Sequence, residues 1–328
     1  MLKIYFKYIL ILAGLSLTFF IAVMVRNNLR DTYPSEDKID LLVDEKLQNV
    51  ESLDLCMDET SIAMDDQTNS QLFEDCYYAI LIDDTSKEVL ASKNPYKRIY
   101  PASMTKLMTA MVVCDQIEEG KLSLDDEVTI SKNYYLSTPG AGNCDFSPGY
   151  RISVKNLLYG LLIDSNNFYA IILAEVCAGD EAEFCRMMNE KAKELGATGT
   201  YYSNSHGLDD PNHYTTPYDT YLITKAANEY EIIRDIDSLS TYSYVYYDNY
   251  NNPVEKDIES TNLFFTDKFS LPANVTMQSW KTGTTKGAGN CLSMFVQKDG
   301  KEYYVLAAAG DSKTVLYDAM VRLICLIK

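Results

Sequence analysis

The sequence predicts an α+β domain: an antiparallel sheet flanked by helices, with an all-helical subdomain. Three observations predict it. Apolar runs of strand length stand at 78–82 and 88–91, and again at 275–280, 291–297 and 303–309. Helical periods fill the interval between the two groups. One more helical stretch, about 314–327, closes the chain. An order of strand pair, helices, three strands and a helix fits strands pairing antiparallel with helices packed against them.

Each element has a local cause. The polar stretch Asp83-Asp84-Thr85-Ser86-Lys87 reads as the turn joining the first two strands. Pro101 precedes a helical pattern from Ser103 to about Glu119, and Gly120 ends it. Further helices are expected at 154–163, 167–178, 181–195 and 217–229. The folded domain is expected to begin near Cys76 and to run to Lys328, with no C-terminal β-domain after the last helix.

The net charge of -18 excludes a nucleic-acid footprint, because phosphate binding needs clustered Lys and Arg. Eight cysteines contain no C-x-x-C pair and only two histidines are present, so neither a metal site nor a cofactor is expected. Several cysteines should be small buried hydrophobes, since Cys114, Cys177 and Cys325 lie in apolar helical segments.

The N-terminus sets the compartment. Lys3 and Lys7 precede an apolar run over residues 8–25, interrupted only by Gly14, Ser16 and Thr18. About 18 such residues just span a bilayer as a helix, and the preceding positive charge stays inside. Ala22-Val23-Met24-Val25 leads straight into Arg26-Asn27-Asn28 without a small-x-small cleavage site. Residues 1–26 are therefore expected to be an uncleaved membrane anchor in preference to a removed signal. Either way the chain is exported. Residues 27–75 carry 3 basic and 14 acidic side chains and read as an acidic linker.

Three motifs carry chemistry: Ser103-Met104-Thr105-Lys106, Ser165-Asn166-Asn167 and Lys281-Thr282-Gly283. Ser103 falls at a helix start, where free N–H groups and the helix dipole favour developing negative charge. Lys106, three residues on, shares its helix face. Such a lysine can serve as base to the serine if burial and a neighbouring cation depress its pKa, and Lys281 can be that cation. Lys281-Thr282-Gly283 is expected to end the strand at 275–280, with a strand edge able to pair with an extended peptide. Ser165 reads structurally as the cap of the helix at 167–178. The pattern of the three together is the one known from serine β-lactamases and penicillin-binding proteins.

Around these motifs, residues 76–328 resemble the D-alanyl-D-alanine carboxypeptidases among the low-molecular-weight penicillin-binding proteins. The resemblance takes in Tyr78-Ala79-Ile80-Leu81-Ile82-Asp83, Pro101 to Thr109, the loop from Ser205 to Tyr214, and Lys281-Thr282-Gly283-Thr284. It implies a β-lactamase/transpeptidase-like fold and removal of the terminal D-alanine from peptidoglycan stem peptides ending in D-Ala-D-Ala. It further implies Ser103 as nucleophile, Lys106 as general base and Ser165 as a third catalytic residue. Asn167, Lys281, Thr282, Gly283 and Thr284 would bind substrate, with Ser103 and Thr284 N–H groups as the oxyanion hole. β-Lactams would trap Ser103, and the enzyme would work on the extracytoplasmic face of the bacterial membrane.

The chain departs from the family pattern at Phe168, at Thr284 and in the short stretch from Gly310 to Asp318, which leaves Lys313 a poor candidate for binding the substrate carboxylate. A class A β-lactamase would need a Glu in the region 198–206, and none is there. The remaining rivals are a D,D-endopeptidase with the same chemistry and a degenerate wall-binding scaffold, whose expected mark is loss of Ser103, Lys106 or Lys281. All three are present. His206 and His213 lie in a turn-rich loop and are read as structural, as are the tyrosines clustered at 242–250.

Overall fold

A computed structural model describes residues 68–73, 75–138 and 141–328. The expected anchor at 8–25 and residues 27–67 of the acidic stretch lie outside them. Among the described residues, no helix is long and apolar enough to cross a membrane.

β1 (Tyr78–Asp83) and β2 (Glu88–Lys93) form a hairpin, as expected. Asp83 Oδ1 closes its turn by accepting from the N–H groups of Thr85 (3.0 Å) and Ser86 (2.9 Å). The fold starts earlier than Cys76. The Thr68 carbonyl accepts from Ser92 N (2.8 Å), and Asn69 Nδ2 donates to the Leu90 carbonyl (2.7 Å). Residues 68–69 thus cover the outer edge of β2.

The first long helix, α1 (Thr105–Glu118), follows a 3-10 turn over Ala102–Met104. Every residue from Thr105 to Cys114 is buried, so α1 is the central helix of the domain, enclosed on all sides. Two short strands, β3 (Glu127–Thr129) and β4 (Arg151–Ser153), come next. Then follow α2 (Val154–Leu162), α3 (Asn167–Ala178), α4 (Glu181–Glu194), α5 (Pro217–Glu229) and α6 (Glu231–Asp237). Their starts are chemically explicit: Ser153, Asn166, Asp180 and Thr216 each cap the following helix with a side-chain oxygen. The cap of α3 is Asn166 and not Ser165, which takes a left-handed φ of 59° beside it.

β5 (Thr241–Tyr247) and β6 (Pro253–Glu259) pair in a hairpin, and the four strands lie in the order β3-β4-β5-β6. β7 (Val275–Thr285), β8 (Gly289–Lys298) and β9 (Lys301–Gly310) complete the main sheet, ordered β2-β1-β9-β8-β7 and antiparallel throughout. α7 (Lys313–Cys325) closes the described chain.

The main sheet is covered on both faces. Ile80, Ile82, Phe295, Tyr304 and Leu306 join the cluster built around α1. Ala79, Leu81, Met294, Val305 and Ala307 alternate with them and pack beneath Leu316, Met320 and Leu323 of α7. That double burial is why β1, β8 and β9 read as nearly continuous apolar runs. Each fully buried Leu or Ile here contributes about 1.5–3 kcal/mol relative to exposure.

Cys76, Cys114, Cys185 and Cys291 are buried and unpaired, as small hydrophobes. Cys325 departs from its expectation: it is exposed at the end of α7.

Candidate active site

The segment before α1 is held in a strained turn. Ala102 has φ 47°, a conformation costing an L-residue about 1 kcal/mol or more. Two glycines press against it. A Cβ on Gly207 would fall 1.9 Å from the Ala102 carbonyl oxygen. One on Gly283 would fall 2.9 Å from Ala102 Cβ and 3.1 Å from Ser103 N. The glycines let the loop at 205–214 and strand β7 close on the turn from two sides.

Lys106 is wholly buried, and its Nζ reaches three oxygens: Ser103 Oγ (2.9 Å), Asn167 Oδ1 (2.7 Å) and the His206 carbonyl (2.7 Å). Burial, and then the positive charge of Lys281, pull its pKa well below the ordinary lysine value, with Asp164 acting in the opposite direction. Lys281 is equally buried and donates to Ser165 Oγ (3.0 Å) and the Thr282 carbonyl (3.2 Å). Burial brings Lys281 down to about 8, opposed by Asp237 and Asp164.

Strand β7 does not stop at Trp280 as the sequence suggested. It continues through Lys281, Thr282, Gly283 and Thr284 to Thr285, paired to β8 on one side and forming the free edge of the sheet on the other. Ser103, Ser165, Asn167, Thr282, Gly283 and Thr284 line one cavity of about 230 Å³ along that edge. The Thr282 hydroxyl meets that of Thr261 (2.6 Å), and Thr284 Oγ1 donates to Asn290 Oδ1 (3.2 Å).

The structure thus brings every expected site residue together and adds several that the sequence reading passed over. Asn167, expected to bind substrate, lines the cavity with its Oδ1 on Lys106 and its Nδ2 donating to the Ala141 carbonyl (3.0 Å). Lys313, set aside in the sequence, stands in the cavity wall at the start of α7. Asp209 accepts from Thr285 Oγ1 and from Gly287 N (2.7 Å), clamping the β7–β8 turn. No motif announces these residues, because strand β7 and the distant loops meet only in the fold.

The histidines serve structure. His213 Nδ1 accepts from Ser203 N (3.1 Å), so the ring proton lies on Nε2 and is donated to Thr105 Oγ1 (2.8 Å). Burial pulls His206 down to about 3 and His213 to about 4, so both are neutral at pH 7. The 3.9 Å approach of His206 to Glu181 is accordingly no ion pair there.

A buried lysine one helical turn from Ser103, a second buried lysine facing Ser165, and a sheet edge beside them form the pattern known from the active-site-serine, penicillin-binding class. Residues 65–309 match the D-alanyl-D-alanine carboxypeptidase family, and the chain belongs to it. It is 32% identical over 234 residues to the D-alanyl-D-alanine carboxypeptidase DacF of Bacillus subtilis, covering 71% of this chain and 57% of that one. It is 31% identical over 217 residues to the D-alanyl-D-alanine endopeptidase of Pseudomonas aeruginosa, covering 66% and 65%. The chain therefore spans under two thirds of the length of these relatives. Among solved structures, cefotaxime-bound penicillin-binding protein D2 of Listeria monocytogenes aligns with a TM-score of 0.65 at 23% identity, over 77% of this chain and 96% of that one. The fold is the penicillin-binding, transpeptidase-like one.

Proposed function

We propose that this chain is a serine-type D-Ala-D-Ala carboxypeptidase that removes the terminal D-alanine from peptidoglycan pentapeptides. The observation that carries the reading is Lys106 Nζ, buried, 2.9 Å from Ser103 Oγ and depressed in pKa by burial and by Lys281. A neutral Lys106 keeps two N–H groups for Asn167 Oδ1 and the His206 carbonyl and leaves its lone pair for the Ser103 hydroxyl proton.

Acylation follows from the geometry. Ser103 Oγ bonds to the carbonyl carbon between the two D-alanines while its proton passes to Lys106. The N–H groups of Ser103 and Thr284 receive the developing oxyanion. As the C–N bond breaks, the leaving amine takes a proton through Ser165, whose hydroxyl Lys281 holds. Thr282 and Lys281 meet the terminal carboxylate. Water then hydrolyses the ester and returns Ser103. β-Lactams present the same carbonyl and carboxylate and would stay on Ser103 as the acyl-enzyme.

The apolar N-terminus supports action outside the cytoplasm, on the membrane's outer face, with residues 8–25 as anchor and 27–67 as spacer. The endopeptidase reading shares each chemical step and is supported by the Pseudomonas relative. The deciding experiment incubates residues 27–328, wild type and Ser103→Ala, with a muropeptide pentapeptide and follows free D-alanine by mass spectrometry. Release by the wild type alone is expected. No release from a folded wild type sinks the proposal, and cleavage of cross-linked dimers in its place moves the assignment to the endopeptidase.

A further inference from the structure

A second cavity, of about 420 Å³, lies across the β7–β8 turn from the one at Ser103. It is larger than that one and within the range of about 300–1,000 Å³ usual for small-ligand sites. The turn walls both: Thr284 and Thr285 line the active-site cavity, Gly287 and Ala288 the second. The loop at 205–214 does the same, with Leu208 in the first wall and Pro211 in the other. A Cβ on Gly287 would fall 2.9 Å from Tyr100 Cδ2. Tyr100, which precedes Pro101-Ala102-Ser103, therefore packs directly against the turn.

The wall of the second cavity is aromatic. Tyr77, Tyr78, Tyr100 and Tyr214 contribute to it, with the Arg98 guanidinium 3.9 Å over the Tyr214 ring. The hydroxyls of these four tyrosines and the N–H groups of that guanidinium have no hydrogen-bond or ion-pair partner among the described residues. By contrast, the hydroxyl of Tyr230 donates to Asp115 (2.6 Å), that of Tyr242 to Asn156 (2.9 Å) and that of Tyr317 to Asn262 (3.1 Å). Tyr77 is moreover 68% exposed, so core packing does not account for it. Apolar ring surface beside uncommitted donors suits a pyranose. The C–H face of such a sugar packs on aromatic rings, while its hydroxyl and acetamido groups take hydrogen bonds.

The proposed acylation gives the stem peptide a direction. Its terminal carboxylate meets Thr282 and Lys281, and its reacting carbonyl faces Thr284 N. The remainder of the stem therefore runs on past Thr285, towards Gly287 and Ala288. The reacting carbonyl belongs to the fourth residue of a pentapeptide, and four extended residues reach about 13–14 Å. The strand covers the steps from Thr284 to Gly287 in about 10 Å. Resting on the proposed function, we infer that the second cavity is a glycan subsite. It seats the N-acetylated hexosamine that bears the stem peptide, with the tyrosines against the sugar ring and Arg98 donating to its oxygens. Stems still attached to sugar are then the preferred substrates.

The test gives the full chain two substrates of one stem sequence, a disaccharide pentapeptide and the free pentapeptide. The wild type should favour the disaccharide form about tenfold in kcat/KM, through KM. Tyr77→Ala and Arg98→Ala should each bring that ratio to about one. A wild type without the preference overturns the inference. So does a loss in Arg98→Ala that falls equally on both substrates, which would put a stem carboxylate in the cavity in place of the sugar. A second measurement leaves the cavity untouched and needs no turnover. Ser103→Ala, titrated calorimetrically with each substrate, should bind the disaccharide pentapeptide about tenfold more tightly. Equal affinities overturn the inference. A folded wild type that releases no D-alanine from either substrate, while Ser103→Ala keeps the binding preference, overturns the proposed function and leaves the glycan subsite standing.

Discussion

Gly283 and Ala102 touch across the active-site turn: a Cβ added to Gly283 would lie 2.9 Å from Ala102 Cβ. The next nearest atoms are backbone, Ser103 N at 3.1 Å and the Pro101 carbonyl oxygen at 3.2 Å, so no long flexible side chain can give way. The strand that carries Thr284 and the turn that carries Ser103 are held at a fixed spacing by the hydrogen atom of a glycine.

Gly283→Ala should therefore separate the two N–H donors while the protein stays folded. Loss of one well-aimed oxyanion donor costs about 10²–10³-fold in rate, so penicillin acylation should fall by that order. Circular dichroism would remain that of the wild type, while melting would show the cost of overpacking, about 1–3 kcal/mol. An alanine variant that acylates at the wild-type rate would remove Thr284 N from the mechanism.

As the proposed base, Lys106 must be neutral to act, and Lys281 helps to keep it so. Lys281→Met removes the like charge, so the Lys106 pKa rises and activity is lost at a higher pH on the acid side. The acid limb of acylation against pH should move upwards, whatever the amplitude. A limb that stays put would show burial alone to be setting Lys106.

Acid stability should depend on the two histidines. Their folded pKa values, about 3 for His206 and about 4 for His213, lie below the ordinary 6.5. Between these limits the unfolded chain binds protons that the folded chain refuses, so stability is present above pH 6.5 and drains away as pH falls. The slope is about 1.4 kcal/mol per pH unit for each histidine. Urea midpoints taken at pH 7 and pH 5 should show it, and His213→Gln should be flatter than the wild type over that interval.

Asp209 is exposed, yet it ties Thr285 and Gly287 into the turn that follows the oxyanion strand. Asp209→Ala should change stability by no more than about 1 kcal/mol. Acylation should drop about tenfold, because small misplacement at a reacting centre is expensive. An equal loss of both would make Asp209 a residue of the fold only.

How much of this could be read from the chain depended on range. Ser103 and Lys106 were legible because a helical turn brings i and i+3 together, and the 3-10 turn running into α1 does so. The strands of the main sheet were legible because both their faces are apolar. The β5–β6 hairpin was not read. In β5 the buried Tyr244 and Tyr246 alternate with exposed Ser243, Val245 and Tyr247, and tyrosines on both faces blur the period of two. β7 was cut short at Trp280, since Thr and Gly after it resemble a turn when the partner strand β8 is out of view. The cap was assigned to Ser165 when Asn166 holds it, a one-residue matter that depends on backbone angles. Asp237 was invisible: it lies 43 residues from the Trp280 that it bonds, on a helix that went unassigned.

α1 carries Lys106 in its first turn and is enclosed by the core along most of its length. The same helix is thus both keel and instrument. Substitutions at Met108 or Met111, far from any substrate, would tilt the lysine by altering what the helix rests on. Mutational drift in this interior is therefore screened twice, for folding and for the pose of one amine. The exposed residues of α4, and those of α7 beyond Lys313, escape the second screen, and variation between related chains should collect there.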